Sequence, residues 1–260
     1  MKNIILFDMD GTLTPARQAM GAEVANELYN LQKAGFEIGI LTGSGLDYVR
    51  QQCKSMFEHE KLNCFDIHYL PCNGTKYYRL GHHGMKRVYE ENMINHLTRS
   101  RWRTLIQIVT TLHSSLIHTY GDMPLTGNFI SYRGSTLNWC PIGRQAEDSD
   151  RSVWIELDKA HSIRQQWLDL TRSKFDAVGL GDVVVKLGGD TSFDIYPAGW
   201  DKTYAFKNFE SYDKIYFVGD RCGPNGNDKE AYELAGELGF ETTDPEETIK
   251  IIKQIMLEDK

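Results

Sequence analysis

The chain has 260 residues, 41% apolar and 25% charged. This sets aside disorder, collagen and coiled coil and leaves one large domain or two ordinary ones with a sizeable core. Its 36 acidic against 29 basic residues give a net charge of −7, which excludes nonspecific attraction to nucleic acid or to an anionic membrane. An anionic substrate therefore needs a local cluster of arginines.

No apolar run reaches the roughly 18 residues of a membrane span, and the apolar stretch at 4–7 is too short for a secretory signal. Five cysteines, an odd number with no CxxC pair, predict buried thiols in a reducing cytoplasm rather than disulfides or a zinc site.

In chain order, short apolar runs at 4–7, 38–41 and 215–218 each end in polar residues, the pattern of strands buried on both faces of a parallel sheet. Helices follow them. Val24, Leu28 and Leu31 form one stripe that stops at Gly35, a second helix is expected over 46–57, and Ala231, Leu234 and Leu238 mark a third. Asp244-Pro245-Glu246-Glu247 reads as a helix start. Both ends of the chain thus predict βα units of one doubly wound, mostly parallel, Rossmann-like sheet. The middle predicts an α+β module: a helix over 96–116, strands over 129–133, 136–140, 153–156, 183–187 and 192–196, and a helix around Ile163, Trp167 and Leu170. Alternating polarity in these strands suits an antiparallel sheet with one open face. The expected division is a core of 1–83 and 199–260 with an inserted cap domain of 84–198. His82-His83 would lie at its hinge as solvated residues.

Ligands of open α/β sheets bind at the C-terminal strand ends, where Asp8, Asp10, Thr42, Ser44, Asp220 and Asp228 are expected to converge. Asp8 and Asp10 leave a buried strand two residues apart. Like charges about 4 Å apart repel by up to ~4 kcal/mol at an effective dielectric near 20. A divalent cation relieves that repulsion, and hard oxygen donors suit Mg²⁺. A calcium loop fits less well, because its later ligand positions are missing, and no Gly-Lys-Ser/Thr phosphate loop is present.

The motif Asp8-Met-Asp-Gly-Thr-Leu-Thr14 resembles the first motif of the haloacid dehalogenase superfamily of phosphotransferases. The run DGTLTPAR, from Asp10 to Arg17, is similar to that of its eukaryotic-type phosphomannomutase branch. So, in the same order, are Gly127-Asn-Phe-Ile-Ser-Tyr-Arg-Gly134, Asn138-Trp-Cys-Pro-Ile-Gly-Arg144, Glu156-Leu-Asp-Lys159, Ser192-Phe-Asp-Ile-Tyr-Pro197, Gly199-Trp-Asp-Lys202 and Gly226-Asn-Asp228. The resemblance implies interconversion of mannose 6-phosphate and mannose 1-phosphate, with glucose phosphates as further substrates, through an aspartyl-phosphate and a hexose 1,6-bisphosphate activator. Asp8 would be the nucleophile, Asp10 the general acid/base and Lys202 the fixed cation. Thr42 or Ser44 would hold the phosphoryl group. Mg²⁺ would be held by Asp8, the main-chain carbonyl of Asp10, and Asp220, with Asp228 nearby. Arg17, Arg133, Arg144, Ser192 and Asp194 would bind the sugar phosphate. A homodimer through the cap is also implied. Two departures concern substrate identity: Thr126 stands where the family has an Arg, and Asp190-Thr191 precedes Ser192. The alternative is a Mg²⁺-dependent sugar-phosphate phosphatase with the same Asp8 and Asp10.

Overall fold

A computed structural model describes residues 2–224 and 226–259. The elements in order are β1 (Asn3–Phe7), α1 (Ala22–Lys33), β2 (Glu37–Leu41), α2 (Leu46–Gln52), α3 (Lys54–Phe57), β3 (Ile67–Leu70), β4 (Lys76–Gly81), β5 (Gly84–Glu90), α4 (Met93–Thr119), β6 (Ile130–Tyr132), β7 (Leu137–Trp139), α5 (Asp148–His161), α6 (Ile163–Ala177), β8 (Val183–Gly188), β9 (Ser192–Pro197), β10 (Lys214–Gly219), α7 (Lys229–Ala235), β11 (Gly239–Glu241) and α8 (Pro245–Glu258). A 3₁₀ segment, Lys202–Asn208, joins β9 to β10. No helix among the described residues is long and apolar enough to cross a membrane.

The chain divides into two compact units, Met1–Glu90 with Gly199–Lys260, and Glu91–Ala198. The first holds a seven-stranded sheet of order β11-β10-β1-β2-β3-β4-β5. Its five strands from β11 to β3 are parallel and the β4–β5 hairpin is antiparallel. Strand alternation sends side chains to two buried layers. Ile5, Phe7, Ile38 and Val218 pack with Leu28 and Leu31 of α1 and Ile252 and Ile255 of α8. Ile4, Leu6, Leu41 and Phe217 pack with Ala231 of α7 and Phe206 and Phe209 of the 3₁₀ segment. Sandwiching both faces explains why the sequence runs are continuous rather than alternating. Helix α8 starts as expected: the Asp244 carboxylate accepts the Glu247 N–H at 2.8 Å, with Pro245 in the first turn.

The second unit holds the antiparallel sheet β6-β7-β9-β8 with helices α4, α5 and α6. Helix α4 departs from helical backbone at Thr98 (φ 72°).

Four expectations are corrected. Residues 153–156 lie within helix α5, where Trp154 is buried and Val153 is exposed. Four apolar residues cannot distinguish strand from helix. The flanks decide it, with Asp148 and Asp150 in the first turn and Lys159 and His161 in the last, as a helix dipole favours. Residues 84–90 form β5, paired to β4, so the sheet of the first unit continues past the expected junction at 84. His82-His83 consequently turns a hairpin and is not a hinge. The helix expected over 46–57 is two helices, interrupted at Cys53.

Beneath the sheet, His68 of β3 is buried. Its Nε2 lies 2.7 Å from Glu37 Oε2 and its Nδ1 2.7 Å from the Tyr77 hydroxyl. A neutral ring that donates from Nε2 to the carboxylate and accepts the Tyr77 proton at Nδ1 satisfies both contacts. Burial, aided by the Arg79 guanidinium, pulls the imidazole down to about 4 despite the Glu37 hydrogen bond. The folded value is below the ordinary 6.5, so this stability is complete above pH 6.5 and is lost as pH falls toward 4. Between pH 7 and 4.5 the wild type is expected to lose about 2–3 kcal/mol more than His68→Gln in urea unfolding. Parallel pH dependence of the two proteins would contradict this.

Candidate active site

Three strand ends build the site of the first unit. Past β1, the Asp8 N–H donates to Val218 O of β10 at 2.9 Å, which holds the residue in line with the sheet. The chain then turns tightly. The Leu13 and Thr14 N–H groups both reach Met9 O at 2.9 Å, and the Gly11 N–H reaches Thr14 O at 2.7 Å. Gly11 has φ +87°, and a Cβ there would fall 2.3 Å from Asp220 Oδ2. Only glycine lets this turn lie against Asp220.

Asp10 faces a different environment from Asp8. Its Oδ1 accepts the Arg17 backbone N–H at 3.0 Å and the Tyr48 hydroxyl at 3.1 Å. At Arg17, expected as a guanidinium donor, it is the backbone N–H that meets Asp10. Arg17 has φ 61° and an exposed side chain. Tyr48 was not anticipated. Its only sequence signal is its place in the first turn of the helix that follows Thr42-Gly-Ser-Gly.

Lys202 begins the 3₁₀ segment, which Asp201 caps by accepting the Thr203 N–H at 2.9 Å. The lysine is 1% exposed, and its Nζ donates to both Asp8 Oδ1 and Asp228 Oδ1. Asp228, fully buried, precedes α7 without capping it. Its second oxygen accepts the Arg221 N–H at 3.0 Å. One carboxylate oxygen from each of Asp8, Asp220 and Asp228 lies within 4.8 Å of the others. Burial, reinforced by the Asp228 and Asp220 charges, pushes Asp8 up to about 8 against the pull of Lys202. Burial and then Asp228 push Asp220 up to about 6. Burial opposes the charge on Lys202, but Asp228 and Asp8 outweigh it and hold the ammonium above its ordinary range.

Thr42 and Ser44 follow β2. Thr42 Oγ1 accepts the Ser44 N–H at 3.1 Å. Thr42 O and Ser44 O accept the N–H groups of Asn73 (2.8 Å) and Cys72 (2.9 Å). Cys72, Asn73 and Gly74 have successive φ of 52°, 60° and 76°, and Gly74 lies directly against Ala205. One left-handed turn therefore braces both the 42–44 loop and the segment that carries Lys202. The Asn73-Gly74 pair was the available signal, since these residue types tolerate that backbone.

In the second unit, Asp194 Oδ1 accepts from Asn138 Nδ2 at 2.8 Å, and Asn138 Oδ1 accepts from Arg144 at 3.0 Å. Ser131, Asn138 and Asp194 are neighbours across β6, β7 and β9. Ser192 is buried at the start of β9. Arg133, one residue beyond β6, donates its N–H to Thr136 O at 2.8 Å. Arg151 donates to the Thr191 hydroxyl at 3.2 Å. Neither Asn138 nor Arg151 was singled out from sequence. Thr126 bonds Ile142 O through both its N–H and its hydroxyl, each at 2.9 Å.

Removing one partner of a buried charged pair leaves the others uncompensated, at a cost of roughly 3–5 kcal/mol. Lys202→Met is expected to lose that much stability in urea unfolding at pH 7.5 with a chelator present. A loss below about 1 kcal/mol would contradict the central place of this lysine.

The family model described as eukaryotic phosphomannomutase matches residues 24–258. The phosphomannomutase of Schizosaccharomyces pombe is 34% identical over 257 residues, covering 98% of this chain and 94% of that protein. That of Drosophila melanogaster is 34% identical over 257 residues, covering 97% and 95%. Among solved structures, an N-terminally truncated Plasmodium falciparum IMP-nucleotidase has a TM-score of 0.71 at 13% identity, covering 98% of this chain and 70% of its own. The C-terminal domain of C. albicans trehalose-6-phosphate phosphatase has a TM-score of 0.62 at 13% identity, covering 98% and 92%. At such identities these two structures share the fold alone, whereas the sequence match runs nearly end to end: the chain belongs to the eukaryotic phosphomannomutase family.

Proposed function

We propose that the protein interconverts mannose 6-phosphate and mannose 1-phosphate, with glucose phosphates as further substrates, through a phosphorylated Asp8 primed by a hexose 1,6-bisphosphate. The observation that carries this reading is the cluster of Asp8 and Asp228 buried around Lys202, with the half-buried Asp220 beside them. Family membership names the reaction class and the cluster supplies its chemistry.

Ionising all three carboxylates beside one ammonium would leave two negative charges, the load that raises Asp8 and Asp220; a divalent cation cancels it, and an all-oxygen donor set suits Mg²⁺. Asp8 and Asp220 would hold it, with the main-chain carbonyl of Asp10 and with Asp228 adjoining. Bound there, Mg²⁺ supplies charge that ionises Asp8 and stabilises the oxygens of the phosphoryl group in transfer.

The residues divide the work. Lys202 orients Asp8, whose carboxylate oxygen attacks phosphorus of the bisphosphate. The bond from phosphorus to the sugar oxygen breaks, and that oxygen takes a proton from Asp10. A sugar monophosphate hydroxyl then attacks the acyl phosphate, returns a proton to Asp10 and frees Asp8. Both donors to Asp10 fall on Oδ1, which leaves Oδ2 to carry the proton. Thr42 and Ser44 donate to the phosphoryl group, and Arg17, Arg133, Arg144, Ser192 and Asp194 bind the sugar phosphate. The five cysteines are buried, which suits a reducing cytoplasm, and we place a homodimer contact in the second unit. The phosphatase alternative rests on the fold likeness alone.

With Mg²⁺ and catalytic hexose 1,6-bisphosphate, the purified protein is expected to convert mannose 1-phosphate to its isomer faster than it releases free phosphate. Asp8→Asn is expected to lower kcat by at least about a thousandfold, and a chelator to abolish turnover. Phosphate release outrunning isomer formation, or substantial turnover in Asp8→Asn, would overturn the proposal.

A further inference from the structure

The four strands of the second unit carry one unbroken polar row. Ser131 pairs with Asn138, Asn138 with Asp194, and Asp194 with Lys186. Directly opposite residues of antiparallel strands point to the same side. A hydroxyl, an amide, a carboxylate and an ammonium therefore stand in line across β6, β7, β9 and β8. The adjoining row, Ile130, Trp139, Phe193 and Leu187, points to the other side. There the Trp139 ring nitrogen donates to His113 of α4 at 3.1 Å, and the Trp139 and Phe193 rings stack 4.5 Å apart. The helices thus cover the apolar side, and the polar row projects away from them.

On the polar side Arg144 reaches Asp194 through Asn138. The Asp194 carboxylate leans over β8, where a Cβ at Gly188 would lie 2.5 Å from its Oδ2. Gly188 is two residues beyond Lys186 and on the same side. A carboxylate on a face that receives an anionic ligand repels that ligand. Lys186, across from it and partly exposed, places positive charge where the repulsion arises.

We propose that Lys186 is a phosphate-binding residue of this face: it offsets Asp194 and donates to the phosphoryl oxygens of a hexose phosphate whose hydroxyls meet Ser131 and Asp194, with the buried Asn138 holding Asp194 and Arg144 in place. This rests on the reading of the face as the sugar-phosphate site. Lys186 adds to Arg133 and Arg144 a cation from a third segment of the chain. Thr126, uncharged and bonded to Ile142 O, adds none.

The test is titration calorimetry of the full chain with mannose 6-phosphate and, separately, mannose, for wild type, Lys186→Met, Lys186→Arg and Arg144→Ala. Thermal melts are recorded in parallel. A charge-assisted hydrogen bond corresponds to about ten- to hundredfold in affinity. Lys186→Met is expected to weaken mannose 6-phosphate binding by that factor, with Lys186→Arg within about threefold of wild type. In turnover, KM should rise for Lys186→Met with kcat nearly unchanged. A merely structural lysine would lower the melting temperature and leave both Kd and KM alone. An unchanged Kd in Lys186→Met while Arg144→Ala weakens binding would overturn the assignment of Lys186 alone. A wild type that binds no hexose phosphate would overturn it together with the reading of the face. Weakened binding in Lys186→Met beside a wild type without mutase turnover would uphold this assignment and sink the proposed reaction.

Discussion

The site depends on one ammonium group. Lys202 is the only cation bonded to Asp8 and Asp228 among the described residues, and without it three carboxylates would face one another inside the fold. Burying like charges is costly unless they are paired and hydrogen-bonded. The surrounding backbone is shaped to keep them together. Gly11 admits Asp220, and Gly219 admits Asp228, whose Cγ would lie 2.7 Å from a Cβ there. The left-handed turn at 72–74 fixes the loop after β2 against the segment that delivers Lys202. A fold optimised for stability alone would fill this space with apolar side chains. Retaining a carboxylate cluster there fits the proposed handling of phosphate with a divalent cation.

The two neighbouring aspartates show how environment separates like groups. Asp8 sits on the buried ammonium and inside the carboxylate cluster. Asp10, two residues on, is bonded to a phenol and a backbone amide at a more open position. Such a difference in surroundings is what the proposed roles, one carboxyl as nucleophile and its neighbour as proton carrier, require.

The central sheet was legible because its strands are buried on both faces, so 4–7, 38–41 and 215–218 read as continuous apolar runs. Strands β4 and β5 were missed for the opposite reason. Their residues are half-buried to exposed and rich in Tyr, Lys and Arg, so no apolar run marks them and the hairpin turn at His82-His83 looked like a domain junction. In the site, Asp8 and Asp220 stand out as charges at the ends of apolar strands, whereas Asp228 and Lys202 are marked by the Gly-Asn-Asp and Gly-Trp-Asp-Lys runs that resemble the family's. Tyr48 and Asn138 could not, since each acts by reaching a partner distant in sequence and carries no charge to mark it, whereas Asn73-Gly74 marks a turn but not what the turn braces. Lys186 became visible only through strand register, which brings it opposite Asp194.

The central claim is that the Asp8 carboxylate, held by Lys202, carries phosphate covalently during turnover. The most direct measurement is to quench the protein in acid during turnover with labelled hexose 1,6-bisphosphate and map the phosphorylated peptide by mass spectrometry. Label on Asp8 that hydroxylamine removes is the expected result. Label confined to another residue, or none on Asp8 while isomer is forming, would contradict it.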